Sequence, residues 1–491
     1  MRGNNKKIAA LVFVVCLLGL GLFAWERVLQ PSPHFHFVDL AHSFMSGRLD
    51  TDSPRRSKRD FKKAKAGDYP AGYSEAVTRQ TTHFNGSSRG WNDWSSYRIL
   101  TLKSGQELRG VFPWFDKKDD PRKNEFHSLD GNLYRIDCAR EVKGGCHGKG
   151  PGQVKYYVSF PPFPGVLMMP AAAIWHYNVN DVWFTLLFAA LNGVLIFLLL
   201  QYLAATGHSR RSLSDNLWLT ALFVFGTVHF FSSVRGEVWF TALIVGVTIN
   251  LLALYCMVDL KRPILAGLLV GLGLATRTPL VFVSVLVALL ALFPQGKFRR
   301  DDWGGTFATL LKFALPVALC LVVLMLYNDA RFDDPFEFGH SYLLEGRRDA
   351  VRRHGLMSSW FLGPNLSAAF LNPPVITFDS WPPLRITRHG LGLIWTTPVL
   401  VLLFWSPNRS WLFKALLITA LAVALPGLFY QNTGWEQFGY RFGLDWLPLL
   451  VLAFAVGGRP LTRGVKTLIL LGIGVNALGA VTFGRFGALY Y

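Results

Sequence analysis

No Walker loop, dinucleotide fingerprint, HExxH or GxSxG stands in this chain in the context that would give it meaning. Nothing in it resembles a nucleotide-sugar-binding domain. Cysteine is scarce, with five in 491 residues. Cys16, Cys256 and Cys320 fall in apolar runs and read as small core residues. Cys138 and Cys146 share a polar stretch and are expected to form a disulfide if that stretch lies in an oxidising compartment. His147 beside them leaves two cysteines and one histidine, too few for a zinc ligand set, and no metal site is expected. No internal repeat is visible, which speaks against a transporter built from two halves. No small-residue cleavage site follows the first apolar stretch, so that stretch is expected to stay as a span.

Long apolar runs are abundant. The chain is 51% hydrophobic, and runs near the ~20 residues that cross a bilayer recur along it. They predict an all-α polytopic membrane protein with about eleven transmembrane helices: 8–25, 180–204, 217–233, 239–258, 264–277, 279–293, 307–327, 389–405, 412–430, 442–457 and 466–486. The pair 264–293 is read as two short helices with Arg277 at the turn between them.

Charge is uneven. Fifty basic residues against 31 acidic ones give a formal net charge of +19. Lys6-Lys7, Arg210-Arg211, Lys261-Arg262, Lys297 with Arg299-Arg300, Arg409, and Arg459 with Arg463 and Lys466 sit in short loops, which the positive-inside rule makes cytoplasmic. The long polar segments 30–158 and 328–388 then face outward, and their basic residues suit membrane lipid headgroups. Nucleic acid is not an expected partner.

The layout predicts five regions. They are a first transmembrane helix (1–29), a first periplasmic loop domain with a juxtamembrane helix (30–160), an interfacial helix and transmembrane core (161–327), a second periplasmic loop (328–388) and C-terminal transmembrane helices (389–491). Residues 35–49 read as an amphipathic surface helix, and 161–177, apolar but Pro-rich, as an interfacial one. Residues 50–155 read as a small, irregular α/β outer domain.

Several polar groups stand where chemistry is possible. Asp39 follows the first span among aromatic residues, and a partly desolvated carboxylate is a better base for an acceptor hydroxyl or amine. The bland alternative pairs it with Arg48 or a histidine. Asp93 is the rival, in Trp91-Asn92-Asp93-Trp94, where tryptophan faces stack on pyranose rings and Asn and Asp bind hydroxyls; the alternative is a packed turn. Arg235 and Glu237 flank a turn between spans, as functional charges or as a mutual ion pair. Arg277 lies in an apolar stretch and Arg441 in Glu436-Gln437-Phe438-Gly439-Tyr440-Arg441 before a late span. A guanidinium binds phosphate bidentately and stays charged when desolvated. Asp445, one turn on, is expected to orient Arg441. Arg331 to Tyr342, with Arg347, Arg348, Arg352, Arg353 and His354, reads as a lid or as a solvated basic surface.

Asp39 after the first span, Tyr157-Val158-Ser159-Phe160-Pro161-Pro162-Phe163-Pro164, Gly271-Leu272-Gly273-Leu274-Ala275-Thr276-Arg277 and Gly439-Tyr440-Arg441-Phe442 together resemble the GT-C glycosyltransferase superfamily. Its members include protein mannosyltransferases and lipid A aminoarabinose transferases. The resemblance implies a polyprenyl-phosphate sugar donor, a catalytic aspartate in the first outer loop and a phosphate-binding arginine nearby. Members usually carry an acidic pair at the start of that loop, whereas Leu40 follows Asp39 here, so Asp39 and Asp93 both stay in play. Bacterial proteins with the run YVSFPP and an upstream Asn-Asp-Trp are nearer in pattern and favour Asp93.

The expected function is therefore an inverting glycosyltransferase of a bacterial inner membrane, acting on its periplasmic side on a glycan, lipid or protein acceptor. Asp39 or Asp93 is its base, and Arg277, Arg441 and Arg235 hold the donor phosphate. Trp91, Asn92, Trp94, Glu237, Tyr157, Glu436 and Tyr440 contact substrate. No cofactor is expected, with a divalent metal left open. The alternatives are a polymerase or ligase of lipid-linked oligosaccharides and a lipid-linked sugar flippase.

Overall fold

The computed structural model describes residues 2–32, 34, 36–52, 93–114, 119–145, 152–299, 301–343, 353–379 and 381–490. The chain divides into two units: Met1–Ser32, Asn180–Cys320 and His354–Tyr491 form one, Pro33–Val179 and Leu321–Arg353 the other.

The first unit is helical. Among the described residues of the whole chain six helices are long and apolar enough to cross a membrane: Asn5–Leu29, Asp181–Ala205, Glu237–Met257, Trp303–Phe332, which belongs to the first unit only as far as Cys320, Trp411–Phe429 and Arg463–Thr482. Glu237–Met257 is the central one, with 89% of its most apolar window buried against 6% for Trp303–Phe332, whose leucines and valines face outward. Helix starts are capped as their sequences require. Asn180 accepts from the amides of Val182 and Trp183 at 2.9 and 3.3 Å, and Ser212 and Asp215 close a reciprocal capping box.

Of the eleven expected spans, six correspond to helices of full crossing length among the described residues, and the others are shorter or broken helices. The stretch 217–233 is broken into Leu213–Phe225 and His229–Ser233 at Gly226. The stretch 389–405 has only the short helix Leu393–Thr396 and the 3-10 turn Pro398–Trp405. Pro263–Leu274, Thr278–Val283 with Ser284–Leu292, and Leu447–Val456 are each too short to cross alone. At 1.5 Å per residue, ten residues cover about half of a ~30 Å hydrocarbon core. Proline and glycine end these helices early, and hydropathy averaged over a window does not register the break.

Close approach and buried polar clamps hold the bundle together. A methyl group at Gly267 would run into the carbonyl of Phe313, and one at Gly271 would lie 2.6 Å from the Cys320 sulfur. These two glycines form one small-residue stripe against Trp303–Phe332. Asn192 donates to the Ile244 carbonyl at 3.0 Å and accepts from Thr248, while Asn476 donates to the Thr396 carbonyl at 2.7 Å. At one end of the bundle the basic short loops gather. Ser209 and Arg211 bond to the carbonyls of Ala455 and Phe454 at 3.2 and 3.0 Å, His208 meets Asp259 at 3.0 Å, and Arg459 reaches the Trp405 carbonyl at 3.1 Å.

In the second unit the expected irregular domain is instead an ordered five-stranded antiparallel sheet. Its strands are β1 (Trp94–Thr101), β2 (Glu107–Val111), β3 (Glu125–Ser128), β4 (Leu133–Arg135) and β5 (Gln153–Val158), in the order β4-β3-β2-β1-β5. The β1–β2 hairpin turns at Gly105, whose φ of 93° is left-handed. Alternation sorts the faces. Leu100 pairs with Leu108 over a core of Phe112, Phe126, Ile136 and Cys138, and Tyr97 packs on the opposite face with Tyr157 and Phe332. The helices His36–Met45 and Phe163–Trp175 pack on each other in the same unit, with Leu40 against Gly165.

Candidate functional site

In the first unit three of the expected arginines form one row. The Pro263–Leu274 helix ends in a turn, and Arg277 follows with extended backbone before the 3-10 turn Thr278–Val283. Its stem crosses the central helix at Gly246, where a methyl would lie 3.0 Å from its Cγ. Its Nε and Nη2 grip both oxygens of Asp445 at 3.1 and 2.7 Å. Asn250, one turn beyond Gly246, donates to the Asp445 carbonyl at 3.0 Å. Asp445 thus holds Arg277, not Arg441 as expected: the segment 441–445 is a 3-10 turn, which carries the carboxylate toward the neighbouring helix.

Arg441 is buried. It donates through Nη1 to the carbonyls of Trp435 and Glu436 at 3.2 and 3.3 Å, and its amide donates to the Gln437 side chain at 3.0 Å. Two phenyl rings join the arginines. The Arg277 and Arg441 guanidinium carbons lie 5.3 and 5.5 Å from the Phe442 ring centre. Those of Arg441 and Arg235 lie 5.5 and 5.4 Å from that of Phe240. A guanidinium against a ring face keeps its charge at little desolvation cost.

Arg235 is paired with Glu237 at 2.6 Å and donates to the Phe483 carbonyl at 3.0 Å. The Glu237 amide donates to Ser32 and to the buried Asp181 at 3.1 and 2.9 Å. Glu237 and Glu436 both have left-handed backbones, with φ of 65° and 55°, a conformation non-glycine residues hold only when their surroundings impose it. Glu436 is mostly exposed and faces Arg388 at 3.6 Å. Tyr440 is buried, and that burial pushes its hydroxyl pKa up, so it stays protonated.

The second unit holds the two candidate bases on adjoining segments. Asp39 is buried in His36–Met45, and its carbonyl accepts from Ser43 at 3.0 Å. Arg48 pairs with Asp52 at 3.1 Å. His36 stacks on Trp94 with ring centres 4.5 Å apart, which sets the Asp39 helix against the residue after Asp93. Asp93 is buried with φ 61°, and its carbonyl accepts from the amide and hydroxyl of Ser159 at 3.1 and 3.0 Å. Tyr157, Val158 and Ser159 therefore brace Asp93 through the β1–β5 pairing, in which Trp94 faces Val158. The Tyr157 hydroxyl meets that of Tyr97 at 2.9 Å; burial first, then this bond, pushes its pKa up. Trp91, Asn92, Cys146, His147, Arg347, Arg348 and Arg352 lie outside the described residues. Cys138 is buried in the small sheet core.

Arg331, which opens the segment expected to be a lid or a solvated basic surface, is buried. Its guanidinium lies 3.9 Å from the Tyr327 ring centre and bonds to the Val158 carbonyl at 3.1 Å. The sequence signal was a lone arginine ending a long apolar run. Among the described residues no group of three or more His, Cys, Asp or Glu is placed to hold a metal ion.

These features define a polytopic helical membrane protein with an arginine row in its helical unit and two buried aspartates in its sheet unit. No family model and no curated relative matches the chain. Its structure is similar to the apo oligosaccharyltransferase of Archaeoglobus fulgidus, at 14% identity and a TM-score of 0.35, over 67% of this chain and 48% of that one. The chain thus spans about half the length of that protein, and an overlap this slight carries no argument about activity.

Proposed function

We propose that the chain is an integral membrane glycosyltransferase. It moves a sugar from a polyprenyl-phosphate donor to an acceptor with inversion, on the extracytoplasmic face of a bacterial inner membrane. The observation that supports this reading is the row Arg235, Arg441 and Arg277 along Phe240 and Phe442 in a membrane-spanning unit. Two of the three are balanced by Glu237 and Asp445, so the row is held in place before any ligand arrives. A departing lipid phosphate carries negative charge that preorganised guanidinium groups stabilise. Arg441 takes the phosphate, with Arg277 and Arg235 beside it. An aspartate, Asp93 or Asp39, removes the acceptor proton as its oxygen or nitrogen attacks the anomeric carbon from the face opposite the phosphate, and the sugar–phosphate bond breaks. Tyr157, Trp94, Glu436 and Tyr440 serve the sugars or hold the segments that do.

The test is transfer from a synthetic polyprenyl-phosphate sugar by detergent-purified protein, with donor affinity measured separately. Either Asp93→Asn or Asp39→Asn should lower turnover by about 100-fold or more and leave donor binding intact. If both variants keep near-normal rates, the base-catalysed reading is wrong, and a ligase or flippase takes its place.

A further inference from the structure

The segment after the π-helical turn Ser367–Leu371 forms a small hairpin in the helical unit, in which Val375 pairs with Arg385 and Ile376 with Leu384. The Thr377 amide closes it on the Pro383 carbonyl at 2.7 Å. At its tip Phe378 and Trp381 are 92% and 88% exposed, and Ile376 is 64% exposed. Two such rings within four residues form an unusually apolar tip for a loop in water.

The root of this hairpin is fixed. The Ile386 amide donates to the Leu489 carbonyl at 2.7 Å, and Ile386 bridges to Tyr490. The Tyr490 hydroxyl folds back to Thr482, the last residue of the membrane-length helix Arg463–Thr482, at 2.8 Å. The hairpin is therefore anchored at the end of a membrane helix, the level where tryptophan and phenylalanine partition between headgroups and acyl chains. Pro382 and Pro383 stiffen the loop and lower the entropy lost on insertion. Asp379 between the rings limits the depth, since a carboxylate is costly in hydrocarbon.

We propose that Phe378 and Trp381 form an interfacial anchor, which places their rings in the headgroup region of the bilayer the chain spans. The proposal does not depend on glycosyl transfer. Its test uses the full chain in nanodiscs of phosphatidylcholine and phosphatidylglycerol. Phe378→Cys and Trp381→Cys are each labelled with bimane, and lipid-facing Leu319→Cys, 64% exposed in the native residue, serves as reference. Lipids spin-labelled near the headgroup should quench both tip positions at least about half as strongly as Leu319→Cys, and aqueous iodide should quench them about twofold less than free dye. Lipid quenching no greater than in a disc without spin label, with iodide quenching equal to free dye, overturns the proposal and leaves the tip for a water-borne partner. Two labelled positions keep the test decisive if one substitution disturbs the fold.

Discussion

Asp445 and Glu436 show how context sets the worth of a carboxylate. Asp445 is 4% exposed and grips Arg277 through both oxygens, whereas Glu436 meets Arg388 at 3.6 Å with both side chains more than half exposed. Removing one partner of a buried pair strands the other charge. Asp445→Asn should therefore cost about 3 kcal/mol in thermal unfolding in detergent, and Glu436→Gln no more than about 0.5 kcal/mol. Arg441→Lys should weaken donor binding and turnover together, because lysine keeps the charge but loses the fork; a donor titration beside the transfer assay reads both. His340 is a third case. Burial lowers its pKa, with Glu337 partly opposing. Its folded form is neutral where the unfolded chain takes up a proton. Stability is thus unaffected above the unfolded pKa of about 6.5 and falls as pH drops below it, by at most about 1.4 kcal/mol per pH unit. His340→Gln should remove that slope from unfolding curves recorded between pH 7 and 5.

At the scale of elements, the helix Trp303–Phe332 depends on two glycines that belong to another helix. Gly267 and Gly271 let its backbone approach Pro263–Leu274 closely, while Gly304 has nothing within 4 Å of an added methyl. Gly267→Ala should lower unfolding stability by about 1–3 kcal/mol, because it must push the Phe313 backbone away. Gly304→Ala should be neutral or slightly stabilising. A cost equal at both sites would mean that the stripe is not where these helices meet. In the sheet unit, β5 is the element that matters for the site: it carries Tyr157 and Val158 against β1 and leaves Ser159 to hold Asp93.

At the scale of the whole chain, the basic loops near Ser209, Lys261, Arg409 and Arg459 gather at one end of the helical unit. The row begins at Arg235, about one central-helix length from Asp259. By the positive-inside rule that end is expected to be cytoplasmic. In intact cells a membrane-impermeant thiol reagent should modify Lys103→Cys and Lys123→Cys, both at exposed sheet turns, and spare Arg409→Cys and Arg459→Cys. The reverse pattern would invert the topology and move the proposed chemistry to the other face.

Much of this was legible in residues alone, for identifiable reasons. Hydropathy and charge determined that the chain is a helical membrane protein with basic loops, because membrane insertion depends on short stretches of composition. The pairing of Arg235 with Glu237 was open to view because a single residue separates them in sequence and a tight turn brings them back. The break at Arg277 was legible, whereas those at Gly226 and within 389–405 were not, since a proline or glycine inside an apolar run changes the backbone and leaves the average hydropathy almost untouched. Tertiary structure alone decided that Asp445 serves Arg277 across 168 residues, that Phe240 and Phe442 join three arginines, and that buried Arg331 reaches the Val158 carbonyl. Composition and spacing carry local preference, whereas these contacts depend on which helices and strands pack together. That choice is made by the summed burial and hydrogen bonding of the whole fold.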